Sequence, residues 1–533
     1  MSKEFQKIST VFTKKKKLWL LFLLGASLLF RFYNFQSFLF FGMDQEYEAF
    51  IVKNIVSFRH FPLIGVNASD TGLYLGPAFI YFAAIPFALF DGNPVGWGIT
   101  ASILGVLTTY LIFHVGRSLF SERVGFIGAL LYGCSFLASY YDRNFWNPTP
   151  IPLLSVLMGY ILVKFSTNTY KYLLLLALVF GLGIQSHLSF VVFAPLIFLV
   201  LWSKRKHISQ KAALLSIGIF LALQLSIILF DLRHNFTNTR ALVHLIIQTS
   251  PGNSISTLSD RLGIFVSSLG RFLWMPASSD MFVETGQCKE LSAIQRIAPP
   301  EIWTISLLSL GVFLFLFFQM RRNRRQQLFG RLEYLFCVHI YRILFITGIV
   351  LFLFTRRFYE YYLLYFFPYF ALILAYLLDR IWKKKEGKVA GIVFLTIFIV
   401  QNSITLFTSY SSYSYQEKIA ALSYVRAYIG DSTYSLEAVG ECPRFGGYRY
   451  LSEYTIGTPV SSYMDSYFAW LYRSSLKKES PQYTVLLSLI DSRGKNEDIA
   501  KWQERKYQFL SNYTVLSRER FRSIHVFILK PKS

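Results

Sequence analysis

Long apolar segments, separated by short clusters of basic residues, run through most of this chain of 533 residues. A helix needs about 20 mostly apolar residues to cross the hydrocarbon core of a bilayer. A soluble chain of this length would instead divide into several domains with polar surfaces, whereas 53% of these residues are hydrophobic. The pattern predicts an all-α polytopic membrane protein.

Read from the N-terminus, the apolar segments give about eleven predicted transmembrane helices. By residue number these are 18–34, 95–115, 124–141, 149–165, 171–187, 188–202, 212–230, 302–320, 343–356, 361–379 and 389–406. Basic residues then collect on alternate connections, at Arg117 and Arg123, Lys164 and Lys171, Lys204 to Lys206, Arg321 to Arg325, and Lys383 to Lys385. Because basic flanks stay cytoplasmic, the alternation predicts a multi-pass plasma-membrane protein with a cytoplasmic N-terminus.

Three stretches fall on the outer side of this trace. The transmembrane domain, residues 1–406, contains two outer loops at 35–94 and 231–300. The third stretch, residues 407–533, is less apolar and changes its periodicity, which predicts a small extracytoplasmic α/β domain. Its predicted helices are Tyr415–Ile429 and Glu497–Tyr507, and its predicted strands are Thr484–Ile490, Thr514–Ser517 and Ser523–Leu529.

The formal net charge of +24 raises the question of nucleic-acid binding. The basic residues, however, form short flanks between apolar segments and no basic domain, so anchoring at the membrane explains them better. The four cysteines lack the spacing of metal ligands, and no metal site is predicted. Cys288 and Cys442 both fall on the predicted outer side, where a disulfide between them could persist.

An acidic cluster, Asp44-Gln45-Glu46-Tyr47-Glu48, follows the first apolar segment. Ionisable groups at a membrane boundary are costly to hold and usually functional, so we predict a catalytic site at these carboxylates. Asp44 and Glu48 are four residues apart and share one helix face, which also suits a solvated surface helix. Glu46 points away from that face, so a structural role competes with a catalytic one there.

Further polar residues fall at the outer ends of other apolar segments. Each has a structural alternative, such as a local ion pair, a hydrogen-bonded core histidine or an anchor among lipid headgroups. Their shared side and depth is the stronger signal, and it predicts one substrate site formed by Asp142, Arg143, Asn147, His187, Arg233, His234, Tyr361 and Tyr362. Arg356 and Arg357 fall at the same boundary and suit lipid headgroups.

This mixture of residue types indicates a reaction class. A carboxylate can accept the proton of an incoming hydroxyl group, while arginine and histidine side chains suit a phosphate. A membrane lipid with a phosphate-linked sugar supplies both halves of such a reaction, because phosphate leaves readily once its charge is stabilised. Sugar transfer from a lipid phosphate to an acceptor hydroxyl is therefore the leading hypothesis.

Several short motifs resemble those of the integral-membrane glycosyltransferases with the GT-C fold. The resemblance is closest to the bacterial and archaeal branch of family 39, related to the dolichyl-phosphate-mannose-protein mannosyltransferases and the lipid A aminoarabinose transferase. The similar segments are Phe41–Gln45 with Glu48, Phe61–Gly65, Gly72–Pro77, Arg143–Pro148, Gln185–His187, Phe230–Asn235 and Tyr362–Pro368. Each motif is weak alone, and the combination is specific because order and spacing agree.

The resemblance implies a polyprenyl-phosphate-linked sugar donor, inversion at the anomeric carbon, and a first-loop aspartate as the catalytic base, which here is Asp44. This chain departs from the family pattern at two positions. Many relatives have adjacent Asp-Glu where it has Asp44-Gln45-Glu46, and many have His-Tyr where it has Tyr361-Tyr362. Some GT-C enzymes use a divalent cation, and we expect such an ion to be optional here.

The predicted partners are the membrane, a polyprenyl-phosphate-sugar donor, and an acceptor that is a protein, a lipid or a glycan, without nucleic acid. A lipid-linked glycan polymerase or ligase shares this topology and is the main alternative. A lipid or glycan transporter would instead place polar residues near the bilayer midplane with repeat symmetry. A non-catalytic scaffold would leave Asp44 and Arg233 dispensable.

Overall fold

A computed structural model describes residues 3–68, 71–165, 168–247, 257–276, 302–326, 330–353, 358–440, 446–472, 479–490 and 496–532. This chain forms a large helical part that ends at Thr408 and a smaller part in which helices surround one sheet. The predicted pair of Cys288 and Cys442 lies outside the described residues, and so do Arg356 and Arg357.

The helical part follows the apolar segments of the sequence. Its helices are α1 (Lys3–Phe32), α2 (Phe35–Phe38), α3 (Met43–Val56), α4 (Ala78–Leu89), α5 (Pro94–Leu119), α6 (Glu122–Cys134), α7 (Phe136–Tyr141), α8 (Ile151–Lys164), α9 (Thr169–Ser186), α10 (Phe193–Lys204), α11 (Gln210–Arg233), α12 (Thr237–Ile247), α13 (Leu258–Leu273), α14 (Trp303–Gln326), α15 (Arg331–Leu353), α16 (Phe367–Ile381) and α17 (Lys385–Thr408). Short 3-10 helices cover Leu188–Val192, Arg205–His207 and Glu360–Leu363.

Within the described ranges, seven helical segments are long and apolar enough to cross a membrane. They are Pro94–Leu119, Thr169–Ser186, Leu188–His207, Gln210–Arg233, Trp303–Arg321, Arg331–Leu353 and Lys385–Thr408. Two further apolar helices, α4 and α8, are shorter. The prediction of a polytopic helical membrane protein is confirmed.

Some predicted spans differ in detail from the observed helices. The segment 124–141 forms two helices, α6 and α7, because the Ser135 side chain caps a new helix start by accepting a hydrogen bond from Ala138 N. The segment 361–379 begins as a 3-10 turn, and α16 starts only at Phe367. Pro368 fits this first turn, where its missing N–H costs nothing.

The core of the helical part is formed by α5, α6 and α16. Every residue from Phe367 to Leu378 is buried, as expected for a helix that is apolar on all faces. Helices α5 and α6 pack closely through two glycines, since a Cβ atom on Gly116 would lie 2.6 Å from the Cα atom of Gly125. Such close packing of small residues is a common basis of helix association in membranes.

The C-terminal part contains a five-stranded sheet with the strand order β2-β1-β3-β5-β4. β1 is parallel to β2 and β3, whereas β5 is antiparallel to β3 and β4. The elements are α18 (Tyr415–Ile429), β1 (Tyr434–Gly440), α19 (Tyr448–Thr455), β2 (Ser461–Ser462), α20 (Asp465–Tyr472), β3 (Tyr483–Leu489), α21 (Asn496–Ser511), β4 (Tyr513–Phe521) and β5 (Ile524–Pro531). This confirms the predicted small α/β unit.

A buried ion pair joins α1 to the segment that follows α7. The Arg31 guanidinium donates through Nη2 and Nε to Oδ2 of Asp142, at 2.6 and 3.1 Å. Arg31 is completely buried, and Nη1 also donates to the carbonyl of Gly133 at 3.0 Å. Gly105 provides the space, because a Cβ atom there would lie 2.4 Å from both Arg31 Nε and Asp142 Oδ2. The pair therefore fixes the end of α1 relative to α7.

Replacing Arg31 with methionine is expected to reduce the free energy of unfolding by about 3–5 kcal/mol, because the Asp142 charge would stay buried without its partner. Thermal unfolding in detergent micelles measures this loss. The matched control is Arg123→Met, which removes a half-exposed partner of Asp379 and is expected to cost at most about 1 kcal/mol. Equal losses in both variants would contradict a special contribution of the buried pair.

Candidate functional site

Asp44 lies in the first turn of α3, beside a small cavity. The N-terminus of the helix is capped by a hydrogen bond from Gly42 N to Oε1 of Gln45 at 3.0 Å. A carboxylate in the first turn is favoured by the partial positive charge of the helix N-terminus. Asp44 is exposed. The cavity is lined by Phe40, Asp44, Gln45, Tyr140, Tyr141, Asn144 and Trp146.

An aromatic cluster from three separate segments adjoins this cavity. The Trp146 and Tyr361 ring centroids are 4.7 Å apart, and those of Tyr361 and Tyr362 are 4.5 Å apart. The His187 ring lies 5.7 Å from Tyr361 and 5.6 Å from Tyr362. Burial raises the pKa of Tyr361, the neighbouring Tyr362 raises it further, and the Asp44 carboxylate adds a smaller contribution. Asp44 therefore lies close enough to interact with the cluster.

Two N–H groups of this cluster are suited to a ligand. The indole Nε1 of Trp146 is buried and has no hydrogen-bond partner in the described part of the chain. In His187, Nδ1 accepts from the backbone N of Ser189 at 3.2 Å. A neutral imidazole that accepts at Nδ1 carries its proton on Nε2. Trp146 and His187 therefore each offer a donor.

A second charged group lies next to the cavity wall. Arg271, on α13, pairs with Glu360 through Nη2 at 2.5 Å and Nε at 2.7 Å. The other carboxylate oxygen of Glu360 accepts from the Tyr141 hydroxyl at 2.9 Å. Because Tyr141 lines the cavity, this chain of contacts connects α13 to the wall of the site.

The fold is similar to that of several solved structures. ArnT from Cupriavidus metallidurans bound to undecaprenyl phosphate has a TM-score of 0.62 at 11% identity, over 96% of this chain and 98% of that chain. Its apo form has a TM-score of 0.59 over the same shares. A weaker similarity, with a TM-score of 0.49 at 12% identity, covers 97% of this chain and 74% of the archaeal oligosaccharyltransferase AglB from Archaeoglobus fulgidus.

Residues 75–230 match the family model of the dolichyl-phosphate-mannose-protein mannosyltransferases. The chain has the GT-C fold over nearly its whole length, and less than a third of it matches this family of glycosyltransferases. The matched segment contains Asn144, Trp146 and His187 of the site, whereas Asp44 precedes it. No curated protein sequence matches the chain. The fold that the motifs predicted is therefore confirmed, and the family match supports the predicted enzyme class.

The three carboxylates of the acidic cluster have different environments. Glu46 is buried and accepts from Gly447 N at 2.9 Å and Tyr450 N at 2.8 Å, so both its oxygens bind the start of α19. Glu48 is completely buried, and neither of its oxygens has a hydrogen-bond partner within the described residues. Burial, followed by repulsion from Asp44, raises the pKa of Glu48 well above its ordinary value.

Asp142 and Arg143 point away from the cavity. Asp142 pairs with Arg31. The buried Arg143 donates through Nε to the carbonyl of Arg31 at 3.1 Å and through Nη2 to the carbonyl of Phe30. Asn144, in contrast, lines the cavity. Its Oδ1 accepts a hydrogen bond from Phe40 N at 2.7 Å. Both charged residues therefore join the end of α1 to the segment that lines the cavity.

The remaining predicted residues divide into two groups. Asn147 donates to the carbonyl of Ser186 at 3.0 Å, which brings its segment beside His187. Arg233 and His234 are exposed, and His234 stacks on Phe230 at 4.2 Å. Among the described residues that line the cavity, neither Arg233 nor His234 occurs. Their substrate-binding role stays a prediction.

Glu360 belongs to the polar group predicted at the outer membrane boundary, whereas Trp146, Tyr141 and Arg271 were not predicted as site residues. Trp146 lies within a motif that carried the family resemblance, so only its indole N–H was overlooked. Arg271 lies in the last turn of the amphipathic helix α13, and a single basic residue at such a position is a weak signal. In the ranges that the structure covers, no group of three or more His, Cys, Asp or Glu side chains is arranged to hold a metal ion.

Glu48→Gln is expected to flatten the dependence of stability on pH. The folded-state pKa of Glu48 lies above the unfolded value, so the folded chain keeps the proton longer. Stability is then full below the unfolded pKa and falls as pH rises towards the folded pKa, by up to about 1.4 kcal/mol per pH unit. Glutamine cannot ionise, and this loss disappears.

Thermal unfolding of the wild type and Glu48→Gln between pH 5 and pH 8, a range of about three units around neutrality, provides the measurement. Glu519→Gln, at an exposed position on β4, is the matched control and should leave the wild-type profile unchanged. An identical pH profile for Glu48→Gln and the wild type would contradict the assignment of a buried, unpaired carboxyl group.

Proposed function

We propose that this enzyme transfers a sugar from a polyprenyl-phosphate donor to an acceptor hydroxyl on the outer face of the plasma membrane, with inversion and with Asp44 as the base. The acceptor is a protein, a lipid or a glycan. The observation that carries the proposal is the position of Asp44 beside a cavity that also contains the unpartnered Trp146 indole N–H. A general base and a hydrogen-bond donor for a phosphate oxygen therefore lie at the same cavity.

The reaction proceeds in one displacement. The acceptor oxygen attacks the anomeric carbon as its proton passes to the Asp44 carboxylate, and the bond between that carbon and the phosphate oxygen breaks. The electron pair leaves with the polyprenyl phosphate. Attack opposite the leaving group inverts the anomeric carbon, as in other single-displacement glycosyl transfers. Glu48 lies one helical turn after Asp44 on the same face of α3. Its carboxyl group interacts electrostatically with Asp44 and assists the base in this proposal.

The phosphate is held by hydrogen-bond donors and nearby cations. We assign it to the Trp146 indole N–H, the His187 imidazole N–H, and the hydroxyls of Tyr361 and Tyr362. Arg271 contributes positive charge from behind the Tyr141 wall, although Glu360 partly offsets it. Donors fixed by packing stabilise a departing charge without reorganisation. A divalent cation is optional in this proposal.

Arg143 and Asp142 belong to the proposed site as supports of the segment that carries Asn144, Trp146 and Asn147. Arg233 and His234 are retained as candidates for contact with the donor headgroup or the acceptor. Glu46 is proposed to hold Asp44 in position through its hydrogen bonds to α19 and to take no part in the proton transfer.

The ends of the helices support an outer-face site. The span Leu188–His207 begins beside His187 and ends in the basic run Lys204-Arg205-Lys206. Helix α16 likewise begins after the Glu360–Leu363 turn and leads to Lys383-Lys384-Lys385. Because basic clusters stay cytoplasmic, the opposite ends, with the site and the C-terminal domain, face outward, and the N-terminus is cytoplasmic.

Asp44→Asn is expected to lower the transfer rate by a factor of about 100 to 10,000, the usual contribution of a general base. Mass spectrometry of envelope glycans quantifies the product in cells whose own copy of the gene is replaced by the variant, at matched protein level. The control is Asp91→Asn, an exposed carboxylate of the same outer loop, which should retain full product. Wild-type product from Asp44→Asn would remove Asp44 from the role of base.

The donor class is tested with purified enzyme and lipids that carry one or two phosphates. Hexoses linked to undecaprenyl monophosphate are expected to be consumed, and oligosaccharides linked to undecaprenyl diphosphate are not. The reverse preference would favour a lipid-linked glycan polymerase or ligase.

Trp146→Phe is expected to weaken binding of undecaprenyl phosphate about tenfold, because it removes one N–H donor to a charged group and keeps the aromatic ring. Titration of the detergent-solubilised protein followed by native mass spectrometry gives the dissociation constant. The control, Trp202→Phe, changes an exposed tryptophan next to the basic run. Unchanged affinity in Trp146→Phe would rule out a phosphate contact at this position.

A further inference from the structure

The C-terminal domain contacts the backbone immediately before Asp44. Tyr415 N, at the start of α18, donates to the carbonyl of Leu39 at 2.8 Å. The Lys418 ammonium donates to the carbonyl of Phe41 at 2.8 Å and to that of Gly446 at 2.6 Å. Phe41 is three residues before Asp44, so α18 holds the chain that enters the catalytic helix.

Lys418 is buried, with an exposed fraction of only 1%. Burial of an ammonium group is costly unless its charge is compensated. Here two carbonyls accept its hydrogen bonds, and the rings of Phe40 and Tyr448 lie 5.6 and 4.7 Å from its nitrogen. An apolar side chain could fill this space but could not donate, so lysine adds a link between the Phe41 carbonyl and the Gly446 carbonyl of the C-terminal domain.

Close backbone packing reinforces this contact. A Cβ atom on Gly446 would lie 2.1 Å from Met43 N, and one on Gly447 would lie 2.3 Å from the carbonyl oxygen of Phe41. Gly447 also has a positive φ of 94°, which glycine adopts without strain. The glycine pair therefore lets α19 begin directly against the start of the catalytic helix.

Glu46 fixes the same junction from the catalytic side. Its oxygens accept from Gly447 N and Tyr450 N, in the first turn of α19, where a carboxylate is favoured. Lys418 and Arg449 lie close enough to interact with its charge. Contacts with the C-terminal domain thus lie on both sides of Asp44 in the sequence, at Phe41 and at Glu46.

We infer that Lys418 is a positioning residue: by holding the Phe41 carbonyl, it sets the orientation of Asp44 relative to the Trp146–Tyr361 cluster. The inference rests on the proposed function of Asp44 and gives the C-terminal domain a part in orienting the proposed base. A base is effective only at hydrogen-bond distance from the proton that it accepts. A misplacement of about 1 Å can cost a factor of about 100 in rate.

The test compares Lys418→Met, Lys418→Arg and Lys53→Met in the full-length protein. Lys53 is the matched control, because it also joins α3 to α19, through an ion pair with Glu453, but is partly exposed and nine residues beyond Asp44. Three quantities are measured: deuterium exchange of the amides of residues 39–47, the dissociation constant of undecaprenyl phosphate, and the envelope product at matched protein level.

Lys418→Met is expected to accelerate exchange in residues 39–47 and to lower product at least about tenfold, with affinity for undecaprenyl phosphate within about twofold of the wild type. Lys418→Arg, which can also donate to both carbonyls, should recover part of the product. Lys53→Met should match the wild type in all three measurements. If Lys418→Met does not yield folded protein, Gly446→Ala, which presses on Met43, should give the same combination of changes.

Unchanged exchange in Lys418→Met, unchanged product despite faster exchange, or an equal loss in Lys53→Met would each overturn the inference. Asp44→Asn is measured in parallel to separate two failures. Full product in Asp44→Asn refutes the proposed base, and with it the positioning claim. Loss in Asp44→Asn together with full product in Lys418→Met refutes the positioning claim alone.

Discussion

The ion pair between Arg31 and Asp142 is the interaction on which the rest of the site depends. Arg31 lies in the last turn of the first helix, before the chain reaches Asp44, and Asp142 shortly precedes Asn144 and Trp146. The pair therefore fixes the relative positions of the two segments that meet at the cavity. The hydrogen bond from Phe40 N to Asn144 continues this connection up to the cavity itself. Buried charges in a membrane protein are usually paired, and here the pairing also aligns the segments that carry the proposed site.

Three carboxylates within five residues take three distinct environments. Asp44 stays accessible at the cavity, Glu46 is bound by two backbone amides of the C-terminal domain, and Glu48 is buried without a partner. An exposed carboxylate is available as a base, whereas a fully hydrogen-bonded one serves structure. The spacing of Asp44 and Glu48 correctly placed both on one helix face, yet only tertiary contacts distinguish the solvated group from the buried one.

The sequence was most informative where a local pattern decides the structure. Helix Tyr415–Ile429 has the predicted bounds, and the strands near 484–490, 514–517 and 523–529 appear as β3, β4 and β5. β1 was not predicted, because Glu437 interrupts its apolar pattern and its stability comes from pairing with β3. The contact of Arg271 with Glu360 joins residues 89 positions apart, which no local pattern reveals. Arg143 was expected at the substrate, but its direction is set by the carbonyls at the end of α1.

The central claim is that the donor phosphate binds between Asp44 and the Trp146–Tyr361 cluster. Photo-crosslinking with undecaprenyl phosphate that carries a diazirine in its first isoprene unit tests this most directly, because the probe labels whatever surrounds the headgroup. Peptide mapping should place the label in segments that contain Trp146, His187 or Tyr361, and an excess of unmodified undecaprenyl phosphate should abolish it. Label concentrated beside the basic runs Lys204–Lys206 or Lys383–Lys385, at the opposite helix ends, would contradict the account.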